Sequence, residues 1–102
     1  MSNQVLVSIF DHAVGVYTPA MCVPAESVAI RSFQSEIRRV DPDNLLHTNK
    51  EDFTLYRVGE FDLDTGSVIT NDPRVLIHGR DVMHVVFPAP DKSGSYGGTT
   101  AD

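Results

Sequence analysis

Hydrophobic and polar positions alternate most regularly between Glu51 and Thr70. Phe53, Leu55, Arg57, Gly59, Phe61 and Leu63 share one parity, while Thr54, Tyr56, Val58, Glu60 and Asp62 share the other. A period of two carried by aromatic and β-branched side chains predicts a strand with one face in a core. Asp64-Thr65-Gly66 supplies turn chemistry, with Gly66 able to take a positive φ and Asp62 or Asp64 placed to accept backbone hydrogen bonds. Ser67–Thr70 then reads as the returning strand of a β-hairpin.

The N-terminal segment is less regular. Val5, Val7 and Ile9 alternate, but Leu6 and Phe10 make the other parity apolar too, which predicts a first strand buried on both faces. Asp11-His12-Ala13 interrupts it, and Val14–Tyr17 returns beside it as a second hairpin. The period changes after Pro24. Ala29, Ile30, Phe33, Ile37 and Val40 form one apolar stripe, predicting a helix over 24–40 with Pro24 at its first position and Asp41-Pro42 as its stop. Residues 42–52 read as a loop, Asn71-Asp72-Pro73 as a turn, and Arg74–Ile77 as a short edge strand. Val82, Val85, Val86 and Phe87 suit a last strand or an anchoring arm. Beyond Pro88 there is little apolar surface. The expected organisation is a single α+β domain over 1–88 with a disordered tail over 89–102. Its fold is a small antiparallel sheet in ββαββ order with one packed helix and room for a fifth short strand.

Composition narrows the function. With 102 residues, 41% hydrophobic and 22% charged, the chain suits one globular domain with a modest core. Eight Lys and Arg against 14 Asp and Glu leave a formal charge of -6, which disfavours non-specific attraction to nucleic acids or anionic membranes. Cys22 is the only cysteine, so no intrachain disulfide can form, and a reduced, buried thiol is expected. The first residues lack the basic segment and apolar core of a secretory signal, and no apolar run approaches ~20 residues. One helix cannot cover strands that are apolar on both parities. That predicts a homodimer or higher homo-oligomer, involving the first strand and the Val82–Phe87 arm.

Motifs with chemistry are few. A calcium loop begun at Asp62 would place Ser67 and Pro73 where Gly and Glu are required. His12, His47, His78 and His84 lack metal-ligand spacing, no Ser sits in a Gly-x-Ser-x-Gly elbow, and there is no Walker sequence. No catalytic residue, metal or cofactor is therefore expected, and the chain reads as non-enzymatic. Single-stranded nucleic acid needs a cationic track and aromatic platforms. The candidates are Arg31, Arg38 and Arg39 on the helix, then Arg57 and Arg80, with Tyr17 and Tyr56 for stacking. Phe53 is the further aromatic near Arg57 in strand parity.

Tyr17-Thr18-Pro19, Asp52-Phe53, Leu55–Gly59, Phe61-Asp62 and Asp64-Thr65-Gly66 form a pattern spanning most of residues 4–83. It resembles the small nonstructural protein of gokushovirus-type microviruses, bacteriophages with small single-stranded DNA genomes. The resemblance implies an accessory protein of the host cytoplasm, acting in single-stranded DNA synthesis or packaging. Such a protein would act by recruiting a phage replication or capsid protein, or by binding single-stranded DNA directly. A structural or host-protein interaction module without a DNA role is the third reading.

Overall fold

A computed structural model describes residues 2–83. Five strands, β1 (Asn3–Asp11), β2 (Val16–Tyr17), β3 (Met21–Val23), β4 (Phe53–Asp62) and β5 (Val68–His78), form one antiparallel sheet. The main helix, α1 (Glu26–Arg38), lies between β3 and β4 in the chain. A short helix, α2 (Leu45–Thr48), and 3-10 turns at Lys50–Asp52 and Gly79–Asp81 complete the described chain. The α+β class, the antiparallel sheet and the single main helix agree with the alternation read from the sequence.

β1 is the central strand, as its two apolar faces require. Along one edge it pairs with β4, and along the other with β2 and then β3. β3 is the fifth strand, placed before the helix. β4 in turn pairs with β5. Val5, Val7, Ile9, Phe53, Leu55 and Ile77 face α1, whose Ala29, Phe33 and Ile37 close the core together with Val82. Ile37 is fully buried. Burying a Leu- or Ile-sized side chain is worth ~2 kcal/mol, so a core of this size holds one helix on one sheet face.

The β4–β5 hairpin turns as its sequence predicts. Gly66 takes φ +77°, and Asp62 Oδ1 accepts the backbone N–H groups of Asp64 and Thr65 at 2.8 and 3.3 Å. Asn71-Asp72-Pro73 is not the end of a strand, however. It bulges out within β5, which resumes at Arg74, while Asn71 Nδ2 donates to Arg57 O at 3.1 Å and Asp72 O at 2.6 Å. These bonds satisfy carbonyls that the interrupted ladder leaves unpaired.

The helix is shorter than its apolar stripe suggests. Ala25 is the N-cap, one residue after Pro24, and Arg39 is the C-cap, leaving Val40 81% exposed. Residues 42–52, expected as a loop, supply the reason. The buried Asn44 donates through Nδ2 to Glu36 O at 2.7 Å and Arg39 O at 3.0 Å, and His47 Nδ1 lies 2.8 Å from Ile37 O. The last carbonyls of α1 are thus held by side chains from the α2 region, which ends the helix there. Val82 is 1% exposed in the core, so the start of the proposed arm belongs to the chain's own interior. The expected arm at 84–87 and tail at 89–102 lie outside the described residues.

Candidate functional site

The bulges decide which side chains share a face. Leu6 pairs with Gly59 and Val7 with Arg57, so Val58 is an extra residue in β4. Beyond it, the parity of the strand is reversed. Arg57 and Glu60 therefore both face α1, and Glu26 on the first turn of the helix meets them. Arg57 donates Nη1 to Glu26 Oε2 at 2.7 Å and Nη2 to Glu60 Oε2 at 2.6 Å, and Arg74 also binds Glu26 Oε2. Hydrogen bonds from Arg57, then from Arg74, hold the Glu26 carboxyl below its ordinary range, and the same carboxylate raises Arg57. Asn3 Nδ2 donates to the other Glu60 oxygen at 2.9 Å. The cluster is an electrostatic clasp between helix and sheet.

The face turned away from α1 has a different chemistry. Phe10, Tyr17 and Tyr56 pack as three rings, with centroids 4.6 Å apart for Phe10–Tyr17, 5.5 Å for Tyr17–Tyr56 and 6.3 Å for Phe10–Tyr56. His12 meets the edge of Phe10 at 4.7 Å. Two small polar residues lie buried among these side chains, Ser8 and Thr54, each 2% exposed. Ser8 Oγ donates to Thr18 O at 2.6 Å. Thr54 Oγ1 lies 2.9 Å from His12 Nε2 and 3.0 Å from His78 Nδ1. A hydroxyl has one proton to give, so one imidazole accepts from Thr54 while the other donates to it. The face continues through Leu6, Phe61, Val68 and Val75.

The strand pairs separate charge completely. Asp11, Arg57, Glu60, Asp62 and Arg74 are the charged residues at paired positions, and all lie on the helix side. The paired positions of the open face include no Asp, Glu, Lys or Arg. An antiparallel sheet with one solvated face ordinarily carries its polar residues there, so this arrangement is inverted.

The residues predicted to contact DNA are consequently divided. Tyr17 and Tyr56 do come together, on the open face. Arg57 is turned to the opposite side of the sheet, beside α1, where Phe53 also packs. Arg39 is engaged by Glu36 at 2.6 Å and Asp41 at 3.1 Å, and Arg38 Nε donates to Met83 O at 2.9 Å. Arg31 and Arg80 are exposed, on α1 and on the 3-10 turn after β5. Phe10, His12, Thr54 and His78 were not among the candidates; the apolar second parity of β1 was the one available signal for Phe10. Cys22, expected to be buried, is exposed. It pairs with Leu6 on the uncovered face, where Sγ lies 3.1 Å from Gln4 Oε1.

Under the helix, a cavity of about 390 Å³ is lined by Val7, Met21, Val23, Phe33 and Leu46, with Ser32 and Glu36 as its polar members. No convergent acid, base and nucleophile appear in that lining. Among the described residues, no group of three or more His, Cys, Asp or Glu is placed to hold a metal ion, and no helix is long and apolar enough to cross a membrane.

The chain matches the family described as Phage ORF5 protein over residues 4–82, and it belongs to that family. No curated protein and no solved structure matches it.

Proposed function

With membership of the Phage ORF5 family as the premise, we propose that the chain is a non-enzymatic phage accessory protein that acts by contacting proteins. Its place in the phage cycle, taken from the resemblance to the microvirus nonstructural protein, is single-stranded DNA synthesis or packaging in the host cytoplasm. The partner it recruits is a phage replication or capsid protein.

One observation carries this reading over direct DNA binding: the aromatic platforms Tyr17 and Tyr56 and the strand cations Arg57 and Arg74 lie on opposite sides of the sheet. Single-stranded DNA needs both along one track. Tyr17 and Tyr56 have no Arg or Lys at the paired positions beside them, whereas Arg57 and Arg39 are occupied by internal carboxylates. Releasing either guanidinium for a phosphate would leave its carboxylate partners uncompensated in a chain of net charge -6.

Co-expression with each phage replication and capsid protein, followed by affinity purification, tests recruitment. A stoichiometric complex that survives nuclease treatment supports it. Failure of every phage protein to co-purify, or loss of each complex with nuclease, contradicts it.

A further inference from the structure

The inverted charge distribution of the sheet points to a specific occupant for its open face. We propose that two copies of the chain pack sheet against sheet through this face, with Phe10, Tyr17 and Tyr56 at the centre of the contact.

Among the described residues, α1 covers one side of the sheet and no helix covers the other. Tyr17, Val68 and Val75 are 44%, 57% and 41% exposed, so the apolar surface runs from β2 across to β5. A contiguous apolar patch on a small chain marks an interaction surface. The rings are already packed on one another, and Ser8 and Thr54 beneath them already have their hydrogen bonds. A partner therefore meets a preformed surface with little ordering left to supply.

In a two-fold dimer each patch meets its own copy, so a net charge on the patch would repel itself. Two chains of charge -6 must therefore approach through a surface free of carboxylates. The open face meets that condition at every paired position. A cationic partner, such as a basic protein segment, would instead be matched by acidic residues, and a nucleic acid by basic ones. Neither sign is present at the paired positions of this face.

Adding a second copy at an edge would be the alternative way to extend the sheet. β5 is interrupted by the bulge at Asn71–Pro73, and Pro73 offers no N–H. The opposite edge consists of two strands of 2 and 3 residues, β2 and β3. Both edges are poor templates, which leaves the face. Sheets stacked in this way lie ~10 Å apart, and a stable dimer buries at least ~1,000 Å² in total.

Sedimentation velocity of the full chain over a concentration series, with circular dichroism as a check on folding, tests the proposal. Wild type should sediment as a dimer at micromolar concentration. Tyr17→Glu, which places a carboxylate on the face, should shift the chain to monomer and raise the dimer dissociation constant at least ~100-fold. Val75→Glu, across from Tyr56, should do the same and decides the matter should Tyr17→Glu fail to fold. Val28→Glu, on the exposed side of α1, should leave the dimer intact. A wild-type monomer throughout the micromolar range overturns the proposal and assigns the face to another occupant. A dimer indifferent to both face substitutions overturns it equally, by placing the contact elsewhere.

Discussion

Arg57 and Glu60 form an ion pair along a single strand, Nη2 to Oε2 at 2.6 Å, although three residues along a regular strand would place them on opposite faces. The extra residue Val58 brings them together. One bulge therefore both builds the clasp with Glu26 and clears charge from the open side of the sheet. Had β4 kept its alternation, Glu60 would stand on the open face with Tyr56, and Phe61 would turn to the helix side.

The clasp makes stability depend on acid. Glu26 is held below its ordinary range by Arg57 and then Arg74, so its contribution is complete above the range in which an unfolded carboxyl titrates, ~4.3. It is lost as pH falls through the lower folded value. Thermal unfolding followed from pH 7 to pH 3 should show the midpoint falling in acid. Glu26→Gln should cost ~1 kcal/mol at pH 7 and flatten part of that fall. A wild-type acid profile unchanged in the variant would remove Glu26 from the account.

Gly59 sits where β5 crosses closest. A Cβ built there would lie 2.3 Å from the Ile69 carbonyl oxygen, which is backbone and cannot rotate away. Gly59→Ala should therefore cost ~3 kcal/mol or separate the outer half of the β4–β5 hairpin. Urea unfolding gives the magnitude, and amide exchange at Val68–Thr70 shows whether the hairpin opens.

Thr54 links two histidines through one buried hydroxyl. Thr54→Val keeps the shape and removes both hydrogen bonds, leaving a nitrogen of His12 and of His78 without its partner. The expected loss is ~2 kcal/mol, read as a lower denaturation midpoint with an unchanged denaturant slope. Stability equal to wild type would mean that both rings find water at no cost.

Much of this architecture was legible in the chain because local rules and burial agreed. The Phe53–Asp62 alternation, the Asp62–Gly66 turn and the Ala29/Phe33/Ile37 stripe each specify an element without help from distant residues. The errors arose where distant partners decided. Asn44 and His47 end α1 from outside it, and Val40 is left exposed although its spacing suits the stripe. Asn71-Asp72-Pro73 has the composition of a turn, yet β4 continues to pair on both sides of it. The candidate site suffered most. Parity counted through Val58 put Arg57 at the correct face but misplaced Glu60, and gave no sign that Tyr17 and Tyr56 would stand on the face opposite Arg57 and Arg74. A bulge leaves no mark on hydrophobic period until its partner strand is known.

The separation of aromatic and cationic residues is tested most directly by fluorescence anisotropy of a labelled single-stranded oligonucleotide, with a duplex in parallel, titrated across a salt series. No salt-sensitive binding of either DNA is expected at micromolar protein, even at low salt. Binding that weakens steeply with salt, and that is reduced by substituting Arg31, Arg38 and Arg39 or by removing the Tyr17 and Tyr56 rings, would contradict it.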